Sequence, residues 1–316
     1  MSRKPLVVLT GATAVGKTKA SIGLAKAIGG EIISADSMQI YRHMDIGSAK
    51  IRPEEMCGVV HHLIDVLEPQ EEFHVVKFQK LAKEAMEEIY SRGHIPIIAG
   101  GTGFYIQALL YDIDFTKSTQ DETFREELSN YVKEHGAEAL HEKLRQVDPK
   151  AAEDIHANNV KRVIRALEFY EQTGKRMSEH NETERKKESP YQFVYFVLND
   201  DRECLYTRIN QRVDQMLDDG LVEEVRYLKE QGYTKDLVSM QGLGYKEILD
   251  YLDGDCTLEE AVYKIKRDTR HFAKRQITWF KREKDVVWVD KKRFHYEEQL
   301  ILNYMLDVLK KRHILT

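Results

Sequence analysis

Gly11-Ala12-Thr13-Ala14-Val15-Gly16-Lys17-Thr18 fits the pattern G-x-x-x-x-G-K-[ST] of a phosphate-binding loop. Its glycines let the backbone curl so that successive N–H groups point inward. The start of a following helix adds partial positive charge, and Lys17 supplies a full one. Such a loop holds a di- or triphosphate group. Its flanks have the required character: the apolar, β-branched run Leu6-Val7-Val8-Leu9 reads as a strand, and Lys19 to Ala27 reads as a helix.

The loop does not say which reaction follows; the residues past the other apolar runs narrow the choice. Asp36 heads Asp36-Ser37-Met38-Gln39-Ile40-Tyr41 after the second run. A carboxylate there faces the phosphate loop across the mouth of a parallel sheet and can take a proton from a nucleophile attacking the phosphate-bearing substrate. Asp-Ser is equally the composition of a helix N-cap or a turn, so both readings stand. The third run ends in Ala99-Gly100-Gly101-Thr102-Gly103, where a hydrolysing nucleoside triphosphatase with such a loop carries an Asp for its magnesium shell. Glycine permits close backbone approach to a ligand and Thr102 offers a hydroxyl; the plainer reading is a Gly-rich turn. No guanine-reading N-K-x-D is present. Arg208 and Arg212, four apart in a helical stretch, share a face and can together grip a leaving phosphate group. The alternative is a solvated face, or pairing with Asp214 and Glu223.

These residues need elements to position them. Strands are expected at 6–10, 31–35, 95–99, 193–198 and 286–289, and helices at 17–28, 74–92, 104–110, 201–218, 220–231, 258–283 and 295–312. Apolar strands interleaved with amphipathic helices predict an α/β fold: a P-loop NTPase-like parallel sheet flanked by helices, with ligands at the carboxyl ends of the strands. From 114 to 190 the strand signals stop and the chain is polar and helical, broken at Gly136, Pro149, Gly174 and Pro190. We read it as an all-helical insertion domain, 114–190, within a core domain of residues 1–113 and 191–316.

The composition suits this reading. The 316 residues, 42% hydrophobic and 32% charged, match a soluble globular protein with a sizeable core. No run of about 18 apolar residues exists, so no membrane span is expected, and a strand this close to the start leaves no room for a leader peptide. Cys57, Cys204 and Cys256 are far apart and show no C-x-x-C pairing, which argues against zinc and disulfides and for a cytoplasmic location. His61, His62 and His271 have no partners at metal spacing and are expected to be structural or surface residues.

The formal net charge is −5, but it is segregated: Lys264 to Lys284 holds nine Lys or Arg against Asp268 and Glu283. On helix 258–283, Arg267, Arg270, Lys274 and Lys281 fall on one arc and Ile265, Phe272 and Trp279 on another, facing a core. In the stretch from Asn158 to Leu167, Val160, Val163, Ile164 and Leu167 follow the helical period while Lys161, Arg162 and Arg165 group opposite. Each basic face is either a solvated surface or a phosphate-backbone surface for nucleic acid.

The motifs G-A-T-A-V-G-K-T, S-A-D-S-M-Q-I-Y-R-H-M-D-I-G-S-A-K, A-G-G-T-G-F-Y, N-V-K-R-V-I-R-A-L-E, L-Y-T-R-I-N-Q-R-V-D-Q-M-L, Q-G-L-G-Y-K-E and A-K-R-Q-I-T-W-F-K-R run in order from residue 11 to 282. Together they resemble the tRNA dimethylallyltransferases over nearly the whole chain. Two departures are visible. Ala12 stands where the common family loop has Pro, which leaves the N–H cradle intact, and the C-terminal zinc finger of many eukaryotic relatives is absent, so the bacterial type is the better match.

The resemblance implies transfer of a dimethylallyl group from dimethylallyl diphosphate to the exocyclic amine of the adenosine on the 3′ side of the anticodon. It implies that Gly11, Ala12, Thr13, Ala14, Val15, Gly16, Lys17 and Thr18 hold the diphosphate, with Thr18 meeting a magnesium ion carried by it. Lys17, Thr18, Arg208 and Arg212 would stabilise the leaving pyrophosphate, Asp36 would position the amine and remove its proton, and Thr102 would assist. A flipped-out adenosine and its neighbours would meet Asp36, Ser37, Met38, Gln39 and Thr102. The stem-loop would lie on Asn159, Val160, Lys161, Arg162 and Val163 and on Lys274, Arg275 and Gln276. The expected partners are tRNA and the prenyl donor, met by a monomer. Three rivals remain: a P-loop kinase, an adenylate isopentenyltransferase, which would not need two basic faces, and a non-catalytic RNA-binding protein with a relic loop.

Overall fold

The computed structural model describes residues 3–115 and 121–315; residues 116–120, inside the expected insertion, lie outside the described residues. Contacts divide the chain into two units, one formed by residues up to Leu109 and from Tyr191 onward, the other by Leu110–Pro190. The boundary after Leu109 falls within the last turn of a helix, slightly earlier than the polarity of the sequence suggested.

The first unit opens with β1 (Lys4–Gly11), α1 (Lys17–Ile28), β2 (Gly30–Ala35), β3 (His61–His62), α2 (Val75–Ser91), β4 (Ile95–Gly100) and α3 (Gly103–Leu110). The second contributes α4 (Glu122–His135), α5 (Ala137–Val147), α6 (Pro149–Asp154), α7 (Val160–Thr173) and α8 (Met177–Arg185). The chain then returns to the first unit with β5 (Tyr191–Asn199), α9 (Arg202–Asp218), α10 (Leu221–Glu230), α11 (Tyr245–Leu252), α12 (Leu258–Phe280), β6 (Val286–Asp290) and α13 (Glu298–Lys311).

Six parallel strands lie in the order β3-β2-β4-β1-β5-β6. β1 is central, which is why Leu6, Val7, Val8 and Leu9 form an unbroken apolar run: each is fully buried, with helices packed on both faces. Against one face pack Leu24 and Ala25 of α1 and Ile301, Met305 and Leu309 of α13. Each such Leu, Ile or Met side chain contributes roughly 1.5–3 kcal/mol on burial. The register sets Gly100 beside both Thr10 and Ala35, and Gly11 beside Leu198, so the ends of β2, β4, β1 and β5 reach one edge together. The chain steps from β1 out to β2 and β3, back to β4, then across to β5; the crevice at this reversal is where such sheets take ligands.

β3 went unread in the sequence because a two-residue edge strand carries no periodic signal. His62 and His94 bond the buried Glu31 at 2.7 Å each, and Arg92 clamps the same carboxylate with two bonds of 2.8 Å. The Arg92 bonds first, then the two histidines, hold the Glu31 carboxyl down at about 2 against the cost of burial.

The Leu110–Pro190 unit has its own core, including Leu140, Leu144, Val163, Ile164 and Ala166. Its buried polar groups are paired. Glu168 takes two bonds from Arg125 (2.8 and 2.7 Å) and one from the Asp121 N–H (2.9 Å). Asp148 caps α6 through the Ala151 N–H and accepts from the Ser178 N–H and hydroxyl, tying the starts of α6 and α8 together.

Candidate active site

Between β1 and α1 the loop takes three left-handed residues: Gly11 (φ 151°), Ala14 (φ 62°) and Gly16 (φ 100°). A side chain on Gly11 would strike the Leu198 carbonyl of β5, so the glycine answers to its neighbour strand as well as to the turn. Gly16 leads straight into α1, whose first N–H groups have no acceptor within the helix. Lys17 folds back over the loop, donating to the Gly11 and Ala12 carbonyls at 3.1 and 2.9 Å. Burial pushes its ammonium down to about 8; Asp36 pulls it up and Arg212 presses it further down. One loop donor is already engaged: the Thr13 N–H gives its bond to Gln276 Oε1 at 2.9 Å. Thr13 therefore shapes the cradle from outside it.

Asp36 follows β2 and fills the turn role that the sequence offered for it. Its Oδ1 accepts from the Met38 N–H (2.9 Å) and the Gln39 N–H (3.4 Å), an Asx turn that bends the chain across the sheet edge. Its Oδ2 has no hydrogen bond among the described residues and lies within electrostatic reach of Lys17. Thr102 is fixed by its N–H bond to the Ala35 carbonyl at 3.2 Å, which sets its half-buried side chain next to the residue preceding Asp36.

Packing accounts for the Gly-Gly at the end of β4. A Cβ on Gly100 would collide with the Ala35 backbone, one on Gly101 with the Gln276 amide, and one on Gly103 with the Trp279 ring. No side chain fits at positions 100 or 101 without displacing these neighbours, so the acid that a hydrolytic site carries here has no place.

Cations border the loop on its other side. Arg208, on α9, ion-pairs with Asp200, which is buried just past β5 and also accepts from the Asp201 N–H at 2.7 Å and the Tyr296 hydroxyl at 3.1 Å. The Nε of Arg208 is buried with no acceptor among the described residues. Arg212, one turn on, has no ion-pair or hydrogen-bond partner among the described residues and is lowered by its packing and by Arg208. Pairing with Asp214 and Glu223 does not occur: Asp214 pairs with Lys266, and Glu223 faces Arg226 at 3.7 Å. Arg212 thus has no counter-ion of its own and stands beside Arg208, whose charge Asp200 meets, an arrangement that suits an anion.

The residues expected to meet tRNA divide by exposure. In the core unit Lys274 and Arg275 are exposed on α12 and line a cleft of about 470 Å³ with His271, Thr278, Trp279 and Arg282. Gln276 is corrected: it is 6% exposed, and both ends of its amide are bound inside the core. The basic arc also shrinks, because Arg267 clamps Asp268 and Arg270 bonds Asn210 of α9 at 2.7 Å. In the helical unit Asn159 holds the N-cap position of α7 without a capping bond from its side chain, and Lys161 and Arg162 are exposed. Val160 packs partly against the local core. Val163 is corrected: its side chain is fully buried and cannot reach an RNA.

Sequence reading missed two features. The first is the support behind Gln39, whose amide donates to the Ala49 carbonyl at 3.3 Å. The Asp45, Ile46 and Gly47 N–H groups all point at Glu224 of α10 (2.9, 2.7 and 3.1 Å), and the Tyr245 hydroxyl bonds the same carboxylate at 2.8 Å. Gly47 was the available clue, since any Cβ there would meet the Tyr245 ring. The second is Lys291, just past β6, which donates to the Val15 carbonyl of the phosphate loop at 3.2 Å. Nothing local to Lys291 signals it.

A family model described as IPP transferase matches residues 39–283, and one described as Isopentenyl transferase matches residues 4–72. A tRNA dimethylallyltransferase of Lachnoclostridium phytofermentans is 63% identical over 312 residues, 99% of each chain. The solved full-length tRNA isopentenylpyrophosphate transferase of Bacillus halodurans has a TM-score of 0.74 at 46% identity, covering 99% of this chain and 98% of that one. A eukaryotic dimethylallyltransferase solved acting on tRNA scores 0.77 at 30% identity, over 91% of this chain and 74% of that one. Sequence, sheet and phosphate loop agree, and the chain belongs to the IPP transferase family of tRNA dimethylallyltransferases.

Proposed function

We propose that the protein transfers a dimethylallyl group from dimethylallyl diphosphate to the N6 amine of the adenosine 3′-adjacent to the tRNA anticodon, releasing diphosphate. The observation that carries this reading is the pairing of opposites around one loop. Lys17, Arg208 and Arg212 gather positive charge on it, and Asp36 stands within reach of Lys17 with one carboxylate oxygen unengaged.

In the reaction the bond between the allylic carbon and the bridging oxygen breaks, and its electron pair leaves with the diphosphate. The N–H groups at the start of α1, Lys17, Arg208 and Arg212 stabilise that charge, which is greater in the transition state than in the bound donor. The adenosine amine bonds to the allylic carbon and gives its proton to Asp36 Oδ2, while the Asx turn through Oδ1 keeps the carboxylate aimed. Ser37, Met38, Gln39 and Thr102 border the flipped base. The crowding at Gly100 and Gly101 disfavours a kinase, because it leaves no room for the acid.

Thr18 fits a magnesium ion brought by the diphosphate: its side chain is exposed at the first turn of α1 and has no hydrogen bond among the described residues. Such an ion would neutralise charge on the leaving group. Lys161 and Arg162 on the helical unit, and Lys274 and Arg275 on the core unit, hold tRNA phosphates. No described helix is long and apolar enough to cross a membrane. The three free cysteines suit a reducing compartment, and we take the enzyme to work in the cytoplasm as a monomer.

The test is incubation with labelled dimethylallyl diphosphate, offering an anticodon stem-loop or AMP as acceptor. Label on the stem-loop alone is expected. Label on AMP alone would make the protein an adenylate isopentenyltransferase, and ATP cleavage with no prenyl transfer would make it a kinase or hydrolase.

A further inference from the structure

We propose that Lys291 is a fourth cation of the diphosphate site, reaching the phosphate loop from the end of β6 to bind the leaving group directly. This rests on the reading of the loop as a diphosphate site given above.

Lys291 is the first residue beyond β6, and its half-buried side chain turns onto the loop. Its Nζ donates to the Val15 carbonyl at 3.2 Å and stands 3.3 Å from the point where a Cβ on Gly16 would lie. That places an ammonium at the N-terminus of α1, the positive end of the helix dipole, where a cation is unwelcome by itself.

Its surroundings add to this opposition. Burial and Arg208 both push the ammonium down, and Lys19 adds a charge of the same sign. The acids near enough to help are committed elsewhere. Asp200 is held by Arg208, Tyr296 and the Asp201 N–H, and Glu298 pairs with Lys19 at 2.7 Å. Among the described residues no carboxylate lies within ion-pair distance of Lys291; one carbonyl answers its three donors, and the Tyr296 ring lies 6.0 Å from its Nζ. A cation held against like charge beside an anion cradle lowers the energy of the assembly only once a polyanion arrives. An ammonium also suits the position, being a compact point charge.

The competing role is structural, in which Lys291 only fixes Val15 by its hydrogen bond. Lys291→Gln keeps a donor and loses the charge, whereas Lys291→Arg keeps the charge. Inorganic pyrophosphate is titrated calorimetrically into the full-length protein and both variants, with anticodon stem-loop binding measured in parallel. K291Q should weaken pyrophosphate binding by about tenfold or more, as loss of a charge-assisted contact does, and K291R should recover most of it, with stem-loop affinity unmoved throughout. Pyrophosphate binding by K291Q within about twofold of the unaltered protein, or K291R as weak as K291Q, overturns the proposal while leaving the diphosphate site standing. An unaltered protein that binds no pyrophosphate overturns both.

Discussion

Gln276 Nε2 donates to the Gly101 carbonyl at 2.9 Å, and Oε1 of the same amide accepts from the Thr13 N–H, also at 2.9 Å. One side chain from α12 thus ties the phosphate loop to the end of β4. It fixes the spacing between the two walls of the crevice, and the absence of a side chain at Gly101 is what lets it in.

Gln276→Leu fills nearly the same volume and leaves a buried N–H and a buried carbonyl without partners. We expect a loss of about 1–3 kcal/mol in denaturant unfolding, with weaker pyrophosphate binding because the loop loses its brace. Unchanged stability together with unchanged pyrophosphate affinity would show that the latch holds nothing in place.

Asp36→Asn keeps an oxygen for the Met38 N–H, so the turn survives, but it removes the proton acceptor. Single-turnover transfer should slow by roughly 10²–10⁴-fold, while stem-loop binding stays within about tenfold, near 1.4 kcal/mol. Near-normal turnover would remove Asp36 from the role of base.

The Lys17 ammonium is lowered by burial to about 8, and the charged form is the one that binds the donor. Its charge is complete below that value and is lost as pH rises through it. The kcat/KM for dimethylallyl diphosphate, which reports the free enzyme, should therefore fall on the alkaline side of about 8. A profile flat to well above that value would mean that Lys17 stays fully charged or does not hold the donor.

On the helical unit, Lys161→Ala combined with Arg162→Ala should weaken tRNA binding and flatten its dependence on salt. Losing two phosphate contacts reduces the slope of log affinity against log salt by about 1.5. Both side chains are exposed, and neither has a hydrogen-bond or ion-pair partner among the described residues, so the fold itself should be indifferent to the change. An identical slope would return them to the status of solvated surface charge.

Much of this protein was legible along the chain because its main devices are contiguous. The phosphate loop is a backbone curl set by Gly11, Gly16 and the strand and helix on either side. The helix expected at 17–28 matches α1, and the strands expected at 95–99 and 286–289 each end one residue short of β4 and β6. α11 is not among the expected helices, since its boundaries depend on Gly244 and on the Glu247 carboxylate that caps it.

Helical periodicity gives relative angles around an axis but not which arc is buried. Gln276 and Arg275 are neighbours in sequence, yet α12 packs so that one braces the core and the other meets solvent. Val163 is a different case: its period already puts it on the apolar face, the resemblance alone carried it to an RNA surface, and the structure buries it.

The sequence by itself carried the family, the phosphate-loop motif, the alternation that makes a parallel sheet, and the candidate base, because each is written in a short run of residues whose geometry is local. Tertiary structure alone decided what surrounds the cradle. The order β3-β2-β4-β1-β5-β6 brings Asp200, Lys291 and Gln276 to a loop near the start of the chain, with Thr13 and Gln276 separated by 263 residues. Strand pairing and burial of the sheet's two faces determine which distant ends meet, and no local signal in the chain records that meeting.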